Sequence, residues 1–189
     1  MPLKMIVKVG KVTNLSDARY CAGMNVDLLG FVTVENQESY LPPKEFQDIR
    51  GWLSGPQIVA EIYGLSSASE LADIIDNYKP DYLELSEKEL PLVDGSLPLI
   101  VRWSKGEFDK AMDIPNLYAL IVDKTQLDNI GDTKIKIKLL VEAENLNEVE
   151  AVTNRPAVKG IVLNGTQEES PGLKDYDHLS EILERLEVE

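Results

Sequence analysis

Residues 5–31 read MIVKVGKVTNLSDARYCAGMNVDLLGF. The stretch opens with a β-branched apolar run, which predicts a buried strand. Asn14 supplies helix N-cap chemistry, and a helix is expected from Leu15 to Ala22. Gly23 is a typical helix stop signal, and a second apolar run, Leu28–Val32, follows almost at once. This order predicts a βαβ unit, whose two strands are parallel and whose helix crosses over one face of the sheet with a right-handed connection.

Length and composition narrow the class of protein. The chain has 189 residues, of which 43% are apolar, and this is typical of one domain over residues 1–189. The formal charge of −14 opposes binding to phosphate backbones, so we expect no nucleic-acid partner. One cysteine and one histidine argue against a disulfide framework and against Cys- or His-rich metal sites, and we expect neither a metal nor a cofactor. The N-terminus has no signal-peptide pattern and no apolar run suits a membrane span, which favours a cytoplasmic protein.

The strand–helix alternation continues along the whole chain. Eight strand-like runs alternate with helical segments, at residues 6–12, 27–34, 57–63, 81–85, 97–103, 117–122, 134–142 and 158–163. This count predicts a compact (β/α)₈ TIM barrel. Because such barrels typically need about 250 residues, the helices after strands four to six must be shortened. The alternative is an open doubly wound sheet, although the chain has no GxGxxG turn and no GxxxxGK[ST] loop.

Three details of packing can be predicted from the pattern. Residues 124–133 have no apolar periodicity and are predicted to form a loop. The second helix is expected to bury an apolar face that includes Phe46 and Trp52. Lys8 lies within the first strand, and we expect it to be buried and paired with Glu61 or Glu84, because a lone charge inside a barrel is very costly.

The two ends of the chain resemble the phosphoribosylanthranilate isomerases of tryptophan biosynthesis. The similar segments are KVGKVT (residues 8–13), NLSDA (14–18), NVDLLGF (25–31), NGTQE (164–168) and SPGLKD (170–175). The resemblance implies a TIM barrel that is a monomer or a homodimer and that binds a small molecule. It also implies the family reaction, an Amadori rearrangement of N-(5-phosphoribosyl)anthranilate, which needs a general acid and a general base on opposite faces of the sugar.

Carried over to this sequence, the resemblance identifies one catalytic residue and several losses. Asp123, at the end of strand six, corresponds to the general acid. The base cysteine of the family is replaced by Gly10, and Cys21 lies in the first helix, where it cannot substitute. Ser39 replaces the arginine that meets the anthranilate. Glu142 falls in the di-glycine phosphate loop, so that only Gly165 and Thr166 are left to offer amides to a phosphate.

These replacements predict that the isomerase activity has been lost or exchanged, and two alternatives stay open. One is an active isomerase or another small-molecule enzyme, in which Asp123 works with new partners such as Lys11 or Arg102 as substrate-binding cations. The other is a non-catalytic binding or regulatory protein. For each residue there is also a structural interpretation: Asp123 caps the next turn, and Lys11 is a solvated loop lysine.

Overall fold

The computed structural model of this chain describes residues 3–104, 108–130, 136–165 and 177–188. Its eight strands are all parallel to their neighbours and form one closed barrel in chain order, in which β8 pairs with β1. The (β/α)₈ TIM barrel predicted from the sequence is therefore confirmed. The open doubly wound sheet is excluded, because an open sheet leaves two unpaired edge strands.

The elements follow one another in the predicted order. The strands are β1 (Ile6–Gly10), β2 (Leu28–Val32), β3 (Gln57–Glu61), β4 (Tyr82–Ser86), β5 (Leu99–Arg102), β6 (Leu117–Val122), β7 (Lys138–Glu142) and β8 (Val158–Asn164). The helices are α1 (Leu15–Gly23), α2 (Pro43–Arg50), α3 (Ala68–Tyr78), α4 (Phe108–Ala111), α5 (Lys124–Ile130), α6 (Leu146–Thr153) and α7 (Asp177–Leu186). Within the described ranges, no helix has the length and apolar character that crossing a membrane requires.

The helices after strands four to six are shortened, as predicted. A single 3₁₀ turn, Leu90–Leu92, follows β4, while α4 has four residues and α5 has seven. The prediction of a loop over residues 124–133 is wrong for its first part, which forms α5. Leu127 is buried in this short helix and its polar neighbours are mostly exposed, so that no apolar repeat can be seen in the sequence. Residues 131–133 lie outside the described part of the chain.

Side-chain caps mark the start of α1, α3 and α6. The side-chain oxygens of Asn14, Ser67 and Asn145 each accept a hydrogen bond from the backbone amide three residues ahead, at 2.9, 3.2 and 3.1 Å. Each of these amides belongs to an aspartate or a glutamate, which also favours the positive end of the helix dipole. The local sequence therefore fixes where these helices start. It also fixes where the preceding loops end, and these loops line the mouth of the barrel, which is the end at which the strands' carboxyl ends lie.

Packing divides the buried residues into two layers. The larger core lies between the outer face of the strands and the helices. Within it, Phe46 on α2 is fully buried, as predicted. Trp52, however, is 71% exposed, which corrects the prediction that it belongs to the same buried face. Helix α2 ends at Arg50, so the helical spacing that relates Trp52 to Phe46 in the sequence does not extend to it.

The smaller core fills the lower interior of the barrel. Its buried members are all apolar: Leu28, Val59, Ile100, Ala119, Ile121, Leu140 and Val162. Because side chains alternate across a strand, the residue two positions further along each strand also faces the interior, nearer to the mouth. These next positions carry charge at five of the strands, where Lys8 follows Ile6, Glu61 follows Val59, Glu84 follows Tyr82, Arg102 follows Ile100 and Glu142 follows Leu140.

Candidate functional site at the mouth of the barrel

A buried lysine organises the centre of the mouth. Lys8 Nζ lies 2.6 Å from Glu61 Oε1 and 2.7 Å from Glu84 Oε2, and the three side chains are only 1–3% exposed. Burial alone would lower the pKa of Lys8, but the charges of Glu61 and Glu84 outweigh this effect and raise it. Lys8 therefore stays protonated, and the expectation of a buried ion pair is confirmed, with both carboxylates as partners.

The contacts continue across the barrel towards solvent. The Tyr63 hydroxyl donates to Glu84 Oε1 at 2.6 Å, and Arg102 Nε donates to the Tyr63 oxygen at 3.3 Å. Arg102 Nη1 in turn lies 2.5 Å from Glu142 Oε2, where both side chains are 37% exposed. Burial and the nearby Glu84 carboxylate raise the pKa of Tyr63, so its hydroxyl remains a hydrogen-bond donor at physiological pH. We call these six side chains, Lys8, Glu61, Tyr63, Glu84, Arg102 and Glu142, the mouth network.

Glu84 carries the least favourable charge in the mouth network. Burial raises the pKa of this carboxyl group, and the neighbouring Glu61 adds to the rise, although Lys8 and the Tyr63 hydroxyl oppose it. One of its oxygens, Oε1, accepts the Tyr63 hydrogen bond. The other, Oε2, lies 2.7 Å from Lys8 Nζ, so the lysine ammonium group is its partner.

Two glycines leave the space that the buried carboxylate occupies. A Cβ atom built on Gly10 would lie 2.5 Å from Glu61 Oε1 and 2.8 Å from Lys8 Nζ. A Cβ atom built on Gly30 would also lie 2.8 Å from Lys8 Nζ and would overlap the Glu61 carboxylate. Gly10 is the position at which the resemblance places the catalytic base. The Glu61 carboxylate therefore lies where a side chain at that position would begin.

This crowding can be measured with small substitutions. We expect Gly10→Ala to lower the free energy of unfolding by about 1–3 kcal/mol, the usual effect of overfilling a packed interior. Because Glu61 is the nearest obstacle, the same substitution should cost much less in a Glu61→Ala background, as a double-mutant cycle from urea denaturation would show. Gly23→Ala is the matched control, since a Cβ atom there meets nothing within 4 Å. Equal costs of Gly10→Ala in both backgrounds would contradict this interpretation.

Above the buried part of the mouth network lies a cavity of about 170 Å³. Its lining combines charged, polar and apolar side chains from several strands and rim loops: Lys8, Lys11, Val32, Gln37, Glu38, Glu61, Tyr63, Glu84, Arg102, Val162 and Asn164. Sites for drug-sized ligands usually measure about 300–1,000 Å³, so this cavity suits a much smaller molecule.

The two cations predicted to bind substrate both line this cavity. Lys11 is exposed at the rim, and its backbone adopts a left-handed conformation, with φ of 53°, that non-glycine residues rarely take. Arg102 is held within the mouth network by Tyr63 and Glu142. The structure therefore brings these two residues to the same cavity, and their predicted role in binding remains a prediction.

Asp123, the predicted general acid, lies at the start of α5. Its Oδ1 accepts a hydrogen bond from the backbone amide of Gln126 at 2.7 Å, and its own backbone amide donates to Gln126 Oε1 at 2.9 Å. This reciprocal pair is the arrangement of a capping box. Asp123 is exposed and is not among the residues that line the cavity. Its catalytic role remains a prediction, whereas its capping role is visible in the structure.

Gly165 and Thr166 are the two residues whose backbone amides were predicted to bind a phosphate. The backbone amide of Gly165 donates to the carbonyl oxygen of Gly10 at 2.7 Å, so this amide is already used within the barrel. Thr166 lies outside the described residues.

Cys21 is fully buried in α1, and burial together with the Asp17 carboxylate raises the pKa of its thiol to about 12. This thiol is therefore protonated and inaccessible, as its position in the sequence suggested.

Comparison with known proteins identifies the fold. No protein-family model and no curated protein sequence matches the chain. Among solved structures, the phosphoribosyl anthranilate isomerase of Thermus thermophilus is 21% identical and superposes with a TM-score of 0.75 over 96% of this chain and 98% of its own. The chain has the fold of the phosphoribosylanthranilate isomerases.

Two further structures place this likeness in context. The N-(5′-phosphoribosyl)anthranilate isomerase of Pyrococcus furiosus is 17% identical, with the same TM-score of 0.75 and the same coverage of both chains. FabK of Thermotoga maritima is 11% identical and reaches a TM-score of 0.63 over 85% of this chain and 58% of its own. The isomerase barrels thus match this chain along almost their whole length, and FabK matches it less well.

Proposed function

We propose that this chain is an isomerase-like barrel that does not rearrange N-(5-phosphoribosyl)anthranilate and that binds a smaller molecule, as a non-catalytic binding or regulatory protein. The observation that supports this most directly is the position of Glu61. Its carboxylate, held by Lys8, occupies the space above Gly10, where the family base would need to reach the substrate. A general base typically contributes 10²–10⁴-fold to the rate of such a reaction.

Size and charge support the same proposal. The cavity of about 170 Å³ is small for a molecule that joins a sugar phosphate to an aromatic acid. Glu61 and Glu84 at its floor would repel both anionic groups of that substrate in a poorly hydrated site. Arg102, which could attract an anion, is instead paired with Glu142. The cavity therefore offers few groups that could bind a sugar phosphate.

An enzyme that uses Asp123 with Lys11 or Arg102 is the weaker candidate. Both cations line the cavity, but Asp123 does not, and its Oδ1 accepts the Gln126 amide. We further propose that the protein is cytoplasmic and is a monomer or a homodimer, by analogy with the isomerases whose fold it has. Sizing by gel filtration with light scattering would test the oligomeric state.

The activity itself can be tested directly. The purified chain is mixed with N-(5-phosphoribosyl)anthranilate, and the loss of the substrate's fluorescence is compared with that caused by a working isomerase at equal concentration. We expect the chain to be slower by at least the 10²–10⁴-fold that a missing base costs. The Asp123→Asn variant is the control for any residual rate. Turnover comparable to the working isomerase, lost in Asp123→Asn, would contradict the proposal and restore the family reaction.

A further inference from the structure

Positive and negative side chains balance in the lining of the mouth cavity. Among the described residues, the lining holds three cationic and three acidic side chains: Lys8, Lys11, Arg102, Glu38, Glu61 and Glu84. Because the cavity measures only about 170 Å³, a charged group inside it lies close to side chains of both signs. An anion would be repelled by the carboxylates, and a cation would be repelled by the lysines and the arginine. The lining therefore disfavours a ligand with a net charge of either sign.

The charged groups at the floor of the cavity already have partners. The Lys8 ammonium group lies 2.6 Å from Glu61 Oε1 and 2.7 Å from Glu84 Oε2. The other oxygen of Glu84, Oε1, accepts a hydrogen bond from the Tyr63 hydroxyl. A ligand gains little by replacing these buried contacts. Its polar groups must instead bond with side chains nearer to the rim.

Unused hydrogen-bonding capacity lies around the rim. Within the described residues, Arg102 uses two of its five N–H groups, both for contacts of the mouth network. In the same part of the chain, no side-chain hydrogen bond or ion pair is formed by four other residues of the lining, which are Lys11, Gln37, Glu38 and Asn164. These five residues lie at or after the ends of β1, β2, β5 and β8. Lysine and arginine only donate, a carboxylate only accepts, and the two amides do both, so a matching ligand must donate and accept on several sides.

We propose that the mouth cavity binds a small uncharged polyol, whose hydroxyl groups bond with Lys11, Gln37, Glu38, Arg102 and Asn164. This inference rests on the proposed function, in which the mouth no longer holds the isomerase substrate. Each hydroxyl group both donates and accepts a hydrogen bond. A polyol therefore matches the donors and the acceptors around the rim without bringing a charge into the balanced lining.

The size and the apolar part of the lining limit the ligand to a short chain. Val32 and Val162 line the cavity beside the polar groups and suit the C–H groups of a polyol. Chains of about three to five carbon atoms, from glycerol to ribitol, suit a cavity that is well below the usual size for drug-sized ligands. Because the free energy that each ligand atom can supply is limited, we expect Kd values between about 0.1 and 10 mM.

NMR titration of the isotope-labelled full chain tests the proposal with matched probes. Glycerol is compared with glycerate, in which a carboxylate replaces one hydroxymethyl group, with serinol, in which an ammonium group replaces one hydroxyl group, and with propylene glycol, which lacks one hydroxyl group. We expect glycerol to shift backbone amides at the rim in a saturable way and each matched probe to bind at least fivefold more weakly. Shifts that do not saturate for glycerol, erythritol or ribitol, or binding of glycerate or serinol as tight as that of glycerol, would overturn the proposal.

A rim variant separates this site from a general effect of the polyol on the solvent. Asn164→Ala removes one amide from the rim and should weaken glycerol binding at least threefold. Asn147→Ala is the matched control, since Asn147 is an exposed asparagine on α6 that does not line the cavity. Equal effects of the two variants would overturn the assignment of the polyol to the mouth.

The balance of charge can be tested by itself. Glu38→Gln removes one negative charge from the rim and keeps a polar side chain, so the ratio of glycerate affinity to glycerol affinity should rise at least fivefold. Glu45→Gln is the matched control, since Glu45 is an exposed glutamate on α2 that does not line the cavity. An unchanged ratio in Glu38→Gln, or the same rise in Glu45→Gln, would overturn the choice of an uncharged ligand.

The two proposals can fail separately. If the chain turns over N-(5-phosphoribosyl)anthranilate, the proposed loss of isomerase function is wrong whatever the titrations show. If it shows no turnover and binds none of the polyols, the loss of isomerase function stands and the ligand class is wrong. Ribose 5-phosphate is compared with ribitol, and tighter binding of the phosphate would favour a retained sugar-phosphate site and overturn the polyol proposal.

Discussion

Replacing Lys8 with methionine is expected to lower the free energy of unfolding by about 3–5 kcal/mol. The methionine keeps most of the side-chain volume but removes the positive charge that contacts both Glu61 and Glu84. Two carboxylates would then be left 97–98% buried without a counter-ion. Urea denaturation followed by circular dichroism measures this loss, and a folded state too unstable to isolate at neutral pH would agree with it.

The pH dependence of this variant gives a second measurement. Burial and Glu61 already raise the pKa of Glu84, and Lys8 opposes the rise, so removing Lys8 must raise this pKa further. A carboxyl group whose pKa is higher in the folded state contributes stability that is complete below its ordinary value of about 4.5 and is lost as the pH rises. The deficit of Lys8→Met should therefore shrink towards pH 4–5 and grow above it.

Two controls make the Lys8 result specific. Lys44→Met removes an exposed lysine from α2 and should change stability by less than about 0.5 kcal/mol. The triple variant Lys8→Met, Glu61→Gln, Glu84→Gln removes both buried negative charges together with their partner and should recover much of the loss, because uncharged groups cost less to bury. A small effect of Lys8→Met at neutral pH, or no recovery in the triple variant, would show that the mouth network is not held by charge.

Repetition made the fold predictable from sequence. Each strand has its own apolar run, and several of the helices between the strands have a capping residue, as in residues 5–31, so the order and number of strands follow from local patterns. The predictions from sequence are wrong where the local sequence shows no recognisable pattern. Helix α5 has too few buried positions for a repeat to be visible. The exposure of Trp52 depends on where α2 ends, and helix ends are the part of an element that sequence patterns define least well.

The candidate site was only partly predictable. The pairing of Lys8 followed from one physical argument, that a strand lysine inside a barrel needs a carboxylate. The contacts among Tyr63, Arg102 and Glu142 did not follow, because these residues are far apart in sequence and meet only through the closure of the barrel. The resemblance predicts that Gly10 stands in the place of the base, and the structure adds that the Glu61 carboxylate lies where a side chain at position 10 would begin.

This relation between Gly10 and Glu61 connects the fold to the proposed function. A closed parallel barrel always presents eight strand ends at one mouth, and its interior positions must be filled or paired. Here the upper interior is filled by the mouth network, whose charges are satisfied mainly by one another. Groups that pair with each other are poorly available to a substrate, which is why the arrangement supports binding of a small ligand better than the family reaction.

A second large effect is expected for Phe46→Ala, which should lower the free energy of unfolding by about 3–5 kcal/mol. Phe46 is fully buried, and its ring lies 5.1 Å from that of Phe31 and 5.0 Å from that of Tyr78, measured between centroids. These contacts join α2 to β2 and to α3, so truncation leaves a cavity between three elements that cannot collapse freely. Urea denaturation followed by circular dichroism measures the loss without depending on tryptophan fluorescence.

Trp52→Ala provides the matched comparison, because Trp52 lies six residues after Phe46 and the sequence pattern assigned both to one buried face. At 71% exposure, Trp52 should change stability by less than about 0.5 kcal/mol when truncated. The ratio of the two losses therefore tests where α2 ends. A loss from Trp52→Ala that approaches that of Phe46→Ala, and that depends on protein concentration, would mean that a second copy of the chain covers this side chain in solution, which would favour the homodimer over the monomer.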